Sequence, residues 1–294
     1  MFQSYNSAVS FNRFGSGGAI LRARIGDSIS DEQILARCPS VFAEQKHDSR
    51  SDKYTYLPTT DLLRGLRSEG FFPVEVRQGG SRDEVKRGFT KHLIRLRRDV
   101  TSLTKVGDSF PEVVLVNSHD GTSSYQLYEG WFRLACLNGM VTADTTKGEG
   151  HGIKIGHRGD ILGDVIEASY RVIKESDETI PLIEDMAQIA LTRTEQLAFA
   201  AAAKELRLDD EAEILPEAII RPRRQADVGD DLWRVFNRAQ ENLVRGGISY
   251  DTRDANNRRV HRHVREAKSI DSNVKLNRAL WTLAESMRQL KHAA

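Results

Sequence analysis

Apolar residues change their spacing twice along this chain. Between residues 60 and 68, Leu62, Leu63 and Leu66 recur at helical intervals behind a threonine, and Gly70 supplies a stop, so a helix is predicted there and a shorter one over 31–37. The period then shortens. Segments 71–77 (FFPVEVR), 90–98 (TKHLIRLRR), 112–117 and 125–137 alternate or run apolar in the manner of strands. Asp120-Gly121 and Asn138-Gly139 fall where the chain must reverse and tolerate positive φ, so consecutive strands are expected to join through tight turns into antiparallel sheet. After Gly159 helical spacing returns. Ile161, Val165, Ala168, Val172 and Ile173 form one stripe over 161–174, 180–208 is rich in Ala and Leu, and further helices fit 230–243 and about 273–290.

This order of elements predicts an α+β fold, with a mainly antiparallel sheet in the N-terminal half and a helical C-terminal half. Residues 1–25 are read as irregular, 26–178 as the sheet domain, and 179–294 as a helical region packed on it. With 294 residues and 39% hydrophobic content the chain can bury a core of its own. No apolar run approaches the ~20 residues that span a bilayer, and the N-terminus lacks the apolar centre of a secretory signal, so no membrane partner and a cytoplasmic location are expected. Cys38 and Cys136 form no CxxC pair and read as two buried free thiols.

Charge matters through its distribution. A net charge of +1 from 43 basic and 42 acidic residues excludes an indiscriminate polycation. Yet residues 82–98 hold seven Lys or Arg against Asp83 and Glu84, and 253–268 hold six against Asp254 and Glu266, with His261 and His263 interleaved. Between these basic stretches, 205–217 holds six acids and one arginine.

Several residues invite a chemical reading. His119-Asp120 could be a catalytic dyad, but neighbours in a tight turn point apart and Asp-Gly suits the turn by itself, so a structural turn is favoured and His119→Ala is expected to be tolerated. Ser118 has no GxSxG elbow around it. A metal could draw on His119, His151 and His157 with Asp144 or Asp160, but no HxxxH or HExxH frame brings them together, and no metal is assigned. Segment 148–159 (GEGHGIKIGHRG) offers five glycines with His151, Lys154, His157 and Arg158, either as a loop touching phosphates or as a plain mobile hairpin. It is neither a Walker loop nor a dinucleotide fingerprint, and no cofactor is expected. In 90–98, alternation puts Lys91, Leu93, Arg95 and Arg97 on one strand face and His92, Ile94, Leu96 and Arg98 on the other. The first, mostly cationic face, with Arg133, Tyr125 and Trp131 nearby, would suit a single strand held by phosphates and stacked on rings; a solvated face with salt bridges is the alternative.

The run Asn117-Ser118-His119-Asp120-Gly121, then Gly130-Trp131-Phe132-Arg133 and Asn138-Gly139, resembles the signature of a phage- and plasmid-borne family, domain of unknown function 932. The resemblance extends through RPRR at 221–224, Asp230-Asp231-Leu232-Trp233, Asn237, Gln240-Glu241-Asn242 and segment 277–281, so it covers roughly 30–285. It implies work on mobile-element DNA and leaves catalytic residues undefined. The order of elements is also similar to the core of phage single-strand annealing proteins, a likeness of fold alone.

The expectation is a non-enzymatic, homo-oligomeric protein that binds single-stranded nucleic acid in recombination, repair or establishment. Its contacts would come from Lys91, His92, Arg95, Arg97, Arg98 and Arg133 on the sheet, from Lys154, His157 and Arg158 in the Gly-rich segment, and from Arg258, Arg259 and Arg262 near the C-terminus. Two alternatives stand beside it. One is a metal-dependent phosphodiester hydrolase built on His119, Asp120 and His157; the other is an inhibitor of a host defence protein whose acidic connector mimics DNA charge.

Overall fold

Strand follows strand in space as in sequence through the N-terminal half. The computed structural model describes residues 18–24, 26–43, 57–83, 85–98, 109–133, 138–142, 152–157, 159–208, 214–253 and 256–293. Within them β1 (Ala19–Arg22), β2 (Phe71–Gln78), β3 (His92–Arg98), β4 (Ser109–Asn117), β5 (Tyr125–Arg133) and β6 (Asn138–Val141) pair in chain order. The far edge of β5 is shared, with β6 along 130–133 and β7 (Ile153–Ile155) along 125–127. Every pairing is antiparallel, and the molecule is α+β as the spacing predicts.

Alternation along the strands divides the sheet into two covered faces. On one, Phe71, Val76, Ile94, Leu96 and Leu115 pack against α1 (Asp31–Arg37), α2 (Thr59–Ser68) and the first half of α3 (Ile161–Gln188). On the other, Leu93, Val114, Val116 and Val141 meet Ile270 and Val274 at the start of α7 (Ile270–Ala293). Helix α1 begins on a capping box in which Ser30 and Gln33 satisfy each other's backbone amides.

The C-terminal helices build a second core. Helix α4 (Arg193–Glu205) starts at a Thr192–Glu195 capping box, α5 (Pro216–Ile219) is one turn, and α6 (Leu232–Arg245) is buried nearly all round by its neighbours. Phe199, Phe236, Leu243, Leu280 and Trp281 meet at its centre. The remaining strands, β8 (Ser249–Arg253) and β9 (Arg259–His263), form a separate two-stranded ribbon.

Four features differ from the sequence reading. Residues 19–22, expected to be irregular, form the edge strand β1. Helix α3 runs without a break from 161 to 188 despite Pro181, placing Val165 and Val172 in the sheet core and Ile183 and Met186 in the helical core. A proline inside a helix removes one backbone hydrogen bond, and here burial on both sides of it outweighs that loss. Asn138-Gly139 is not a turn but the start of β6. The Arg-rich stretch near the C-terminus, assigned to no element by its spacing, contributes strand β9 at Arg259–His263.

Candidate nucleic-acid interface

The signature hairpin between β4 and β5 is structural in detail. Gly121 takes φ +76°, a conformation that glycine adopts without strain, and the Asp120 carboxylate accepts from Thr122 N at 3.0 Å and from Thr122 Oγ1 at 2.6 Å. Ser118 closes the loop: its hydroxyl accepts from Ser123 N at 2.8 Å and donates to Ser123 O at 3.3 Å. His119, however, is fully buried, which contradicts the expectation that its replacement by alanine is tolerated. Its Nε2 lies 3.0 Å from Thr59 Oγ1, which also sits 3.1 Å from Nε2 of His92, while Ser40 Oγ approaches the other nitrogen of His92 at 3.3 Å.

The cluster ties the N-terminal end of α2 to β3 and to the signature turn. Burial pushes the His92 imidazole down to about 3, helped by His119 beside it, and burial likewise takes His119 down to about 4. His157 packs on the Tyr125 ring at 4.8 Å, its Nε2 is 3.4 Å from Ser123 O, and burial lowers it too. Both His92 and His119 are therefore neutral at pH 7 and out of reach of a phosphate. Burial also raises the Cys38 thiol to about 12.

The face expected to be cationic and open is cationic and closed. Its alternation is as predicted, but Arg95 and Arg97 are 2% and 5% exposed. Arg95 donates to Glu112 Oε2 at 2.8 Å and to the Met140 carbonyl at 3.0 Å, and Arg97 to Glu112 Oε1 at 2.6 Å. Beside them Glu75 accepts from Arg22 and Arg77. Burial alone would raise the Glu75 carboxyl, but the guanidinium groups of Arg77, Arg22 and Arg95 outweigh it and hold it below the usual carboxylate range. The signature glycines make room for this network. A Cβ on Gly139 would fall 2.5 Å from Arg95 Cζ, and one on Gly130 would fall 3.0 Å from Arg95 Nη1.

The other predicted contacts divide between core and surface. Lys91 pairs with Asp271 at 2.7 Å, and buried Arg133 with Asp227 at 2.5 Å. Tyr125 and Trp131 are core side chains, the latter donating from Nε1 to Glu129. Arg98 is exposed and lies over the Tyr170 ring. Lys154 is exposed on β7. Arg158, His151, Asp144 and Cys136 lie outside the described residues, as do 209–213 of the acidic connector. Among the described residues no three His, Cys, Asp or Glu side chains converge on a possible metal position.

What remains at the surface is the β8–β9 ribbon. Cross-strand register sets Tyr250 opposite Arg262, Asp251 opposite His261 and Arg253 opposite Arg259. Arg253, Arg258, Arg259, Arg262, Arg265 and Lys268 are all exposed. Asp251 neutralises part of this charge, pairing with Arg259 at 2.5 Å and facing His261 at 3.1 Å. At the foot of the ribbon, Arg223 of the RPRR segment donates to Asn242 at 2.6 Å and to the Gly246 carbonyl. Between the ribbon and the end of α4 runs an open groove of about 920 Å³, walled by Arg207, Tyr250, Arg262 and Arg265 with both ribbon histidines. Sequence analysis found these arginines but not their ribbon. The available signal was the short alternation SYDTR and RVHRH on either side of Asn256-Asn257, where Asn257 takes φ 62°.

Comparison with known proteins places this geometry in a family. The family described as Domain of unknown function (DUF932) matches residues 46–281. UPF0380 protein YafZ of Escherichia coli (strain K12) is 42% identical over 277 residues, covering 94% of this chain and 96% of its own length. UPF0380 protein YfjQ of the same strain is 41% identical over the same extent. No solved structure matches.

Proposed function

The chain belongs to the DUF932 family, and from that premise we propose that it is a nucleic-acid-binding protein whose contact surface is the β8–β9 ribbon, with single-stranded DNA as its ligand. The observation that supports this most is the state of the arginines. Arg95, Arg97 and Arg133 of the sheet are buried against carboxylates, whereas Arg253, Arg258, Arg259, Arg262, Arg265 and Lys268 stand exposed on the ribbon or just beyond it, where Asp251 pairs with Arg259. A polyanion gains affinity where cations lie in water on a protruding element and release counterions on contact. Tyr250, His261 and His263 add rings beside the cations, the combination that holds an unpaired strand without reading its sequence.

Charge reversal on the ribbon tests this. Arg258→Glu with Arg262→Glu should lower the affinity for an oligonucleotide of about 20 residues at least tenfold at low salt. The thermal unfolding of the variant should stay near wild type, because both positions are exposed. Affinity unchanged by the double reversal would remove the ribbon from the reading.

A further inference from the structure

We infer that His261 and His263 bind one divalent transition ion of the zinc class through their Nε2 atoms, with Asp251 and Ser249 positioning the two rings. The inference goes beyond the nucleic-acid reading and does not depend on it. Its starting point is the register of the ribbon. Ser249 lies opposite His263 and Asp251 opposite His261, so alternation puts both imidazoles and both partners on one face, while Tyr250 and Arg262 share the other.

Each ring is held by the nitrogen that a metal would not use. His261 Nδ1 lies 3.1 Å from Asp251 Oδ1, and His263 Nδ1 lies 2.9 Å from Ser249 Oγ. Hydrogen bonds from His261 and Arg259 hold the Asp251 carboxyl below its usual range, so it is ionised and can only accept. The proton of a neutral His261 is therefore on Nδ1, and its Nε2 carries a lone pair. Ser249, which can accept as well as donate, permits the same tautomer in His263. A carboxylate behind an imidazole is the usual arrangement in metal-binding histidines, because it fixes the ring and raises the basicity of the other nitrogen.

The spacing fits a shared ion. The two ring centroids are 5.1 Å apart and the planes meet at 88°. Imidazoles sharing one tetrahedral zinc, each with its centroid about 3.2 Å from the metal, would have centroids about 5.2 Å apart. Both Nδ1 atoms face β8, so both Nε2 atoms leave their rings on the side away from it, and both histidines are exposed. No third His, Cys, Asp or Glu among the described residues converges here, so water completes the coordination. The ribbon arginines oppose a cation, but Arg262 lies on the other face and Arg259 is paired with Asp251. Imidazole nitrogen also selects transition ions over hard cations such as magnesium, which prefer oxygen.

Titration of the full-length protein with zinc, followed by calorimetry, tests the site. Replacing either histidine with alanine should weaken zinc binding about tenfold or more, and Asp251→Ala about tenfold, the usual cost of losing an orienting partner. Excess magnesium should not compete. Thermal unfolding of the histidine variants should stay near wild type, because both positions are exposed. His292→Ala is the control: that histidine is also exposed and has a carboxylate partner in Asp185, but no second imidazole is recorded beside it, and its loss should leave zinc affinity unchanged. Absence of zinc binding by the wild type, affinity retained when His261 and His263 are both alanine, affinity indifferent to Asp251→Ala, or an equal loss in His292→Ala would each overturn the site.

Discussion

Replacing Glu112 by glutamine probes the buried charge network with almost no change of shape. The Glu112 side chain is 0% exposed and its carboxylate bridges Arg95 and Arg97, which are 2% and 6% exposed at the side chain. Glutamine keeps one oxygen as an acceptor but removes the negative charge and turns two donor protons toward guanidinium groups that cannot accept them. Removing one partner of a buried ion pair typically costs about 3–5 kcal/mol, because the remaining charges stay desolvated. With a urea m-value near 3 kcal/mol/M, the unfolding midpoint should fall by about 1 M or more. The assay is urea denaturation followed by tryptophan fluorescence, which reports on Trp131, Trp233 and Trp281, all buried. Exposed Arg262→Gln serves as the control and should stay within about 0.5 kcal/mol. A midpoint shift for Glu112→Gln no larger than the control's would refute the account of the sheet face as a closed ion network.

Gly139→Ala should destabilise the protein by about 1–3 kcal/mol in the same assay, since the new Cβ would collide with Arg95, which is held in place by Glu112 and the Met140 carbonyl. His119→Ala should cost about 2 kcal/mol or more, because it opens a cavity and deprives Thr59 of a buried partner; a value within error of zero would return His119 to the surface. Stability should also fall on acidification. His92 and His119 titrate at about 3 and about 4 in the folded protein against 6.5 when unfolded, so their contribution is complete above pH 6.5. Between pH 6.5 and 4 the unfolded chain binds protons that the folded one does not, and each histidine should subtract about 1 kcal/mol per pH unit. Flat stability across that range in a His92→Gln, His119→Gln background, with a slope in wild type, would locate the effect in these two residues.

Much of the sheet was legible because its signal is local. Alternation in TKHLIRLRR assigned the right residues to the right faces, and Asp120-Gly121 marked a turn that glycine's positive φ confirms. What alternation cannot tell is what covers a face. Arg95 and Arg97 look solvent-directed until Glu112, on the neighbouring strand, is placed against them, and that contact depends on register across β3 and β4. Gly139 misled for a related reason: a glycine beside an asparagine suggests a turn, whereas here the missing side chain is space for a guanidinium from three strands away. His119 was hidden by its neighbours, since the polar run around it suggests exposure while its ring turns inward onto Thr59. The ribbon arginines were visible as a charge run, but their arrangement on paired strands required Asn257 to be recognised as a reversal.

The salt dependence of binding to a single-stranded oligonucleotide tests the central claim most directly. For wild type, the logarithm of the association constant should fall linearly with the logarithm of salt concentration, with a slope of about −0.7 per phosphate neutralised. Arg258→Ala with Arg262→Ala should make that slope shallower by about 1.4, whereas Glu112→Gln, assayed where it is still folded, should leave it unchanged. Absence of binding at low salt, or an identical slope in the ribbon variant, would contradict the assignment of the β8–β9 ribbon as a nucleic-acid-binding surface.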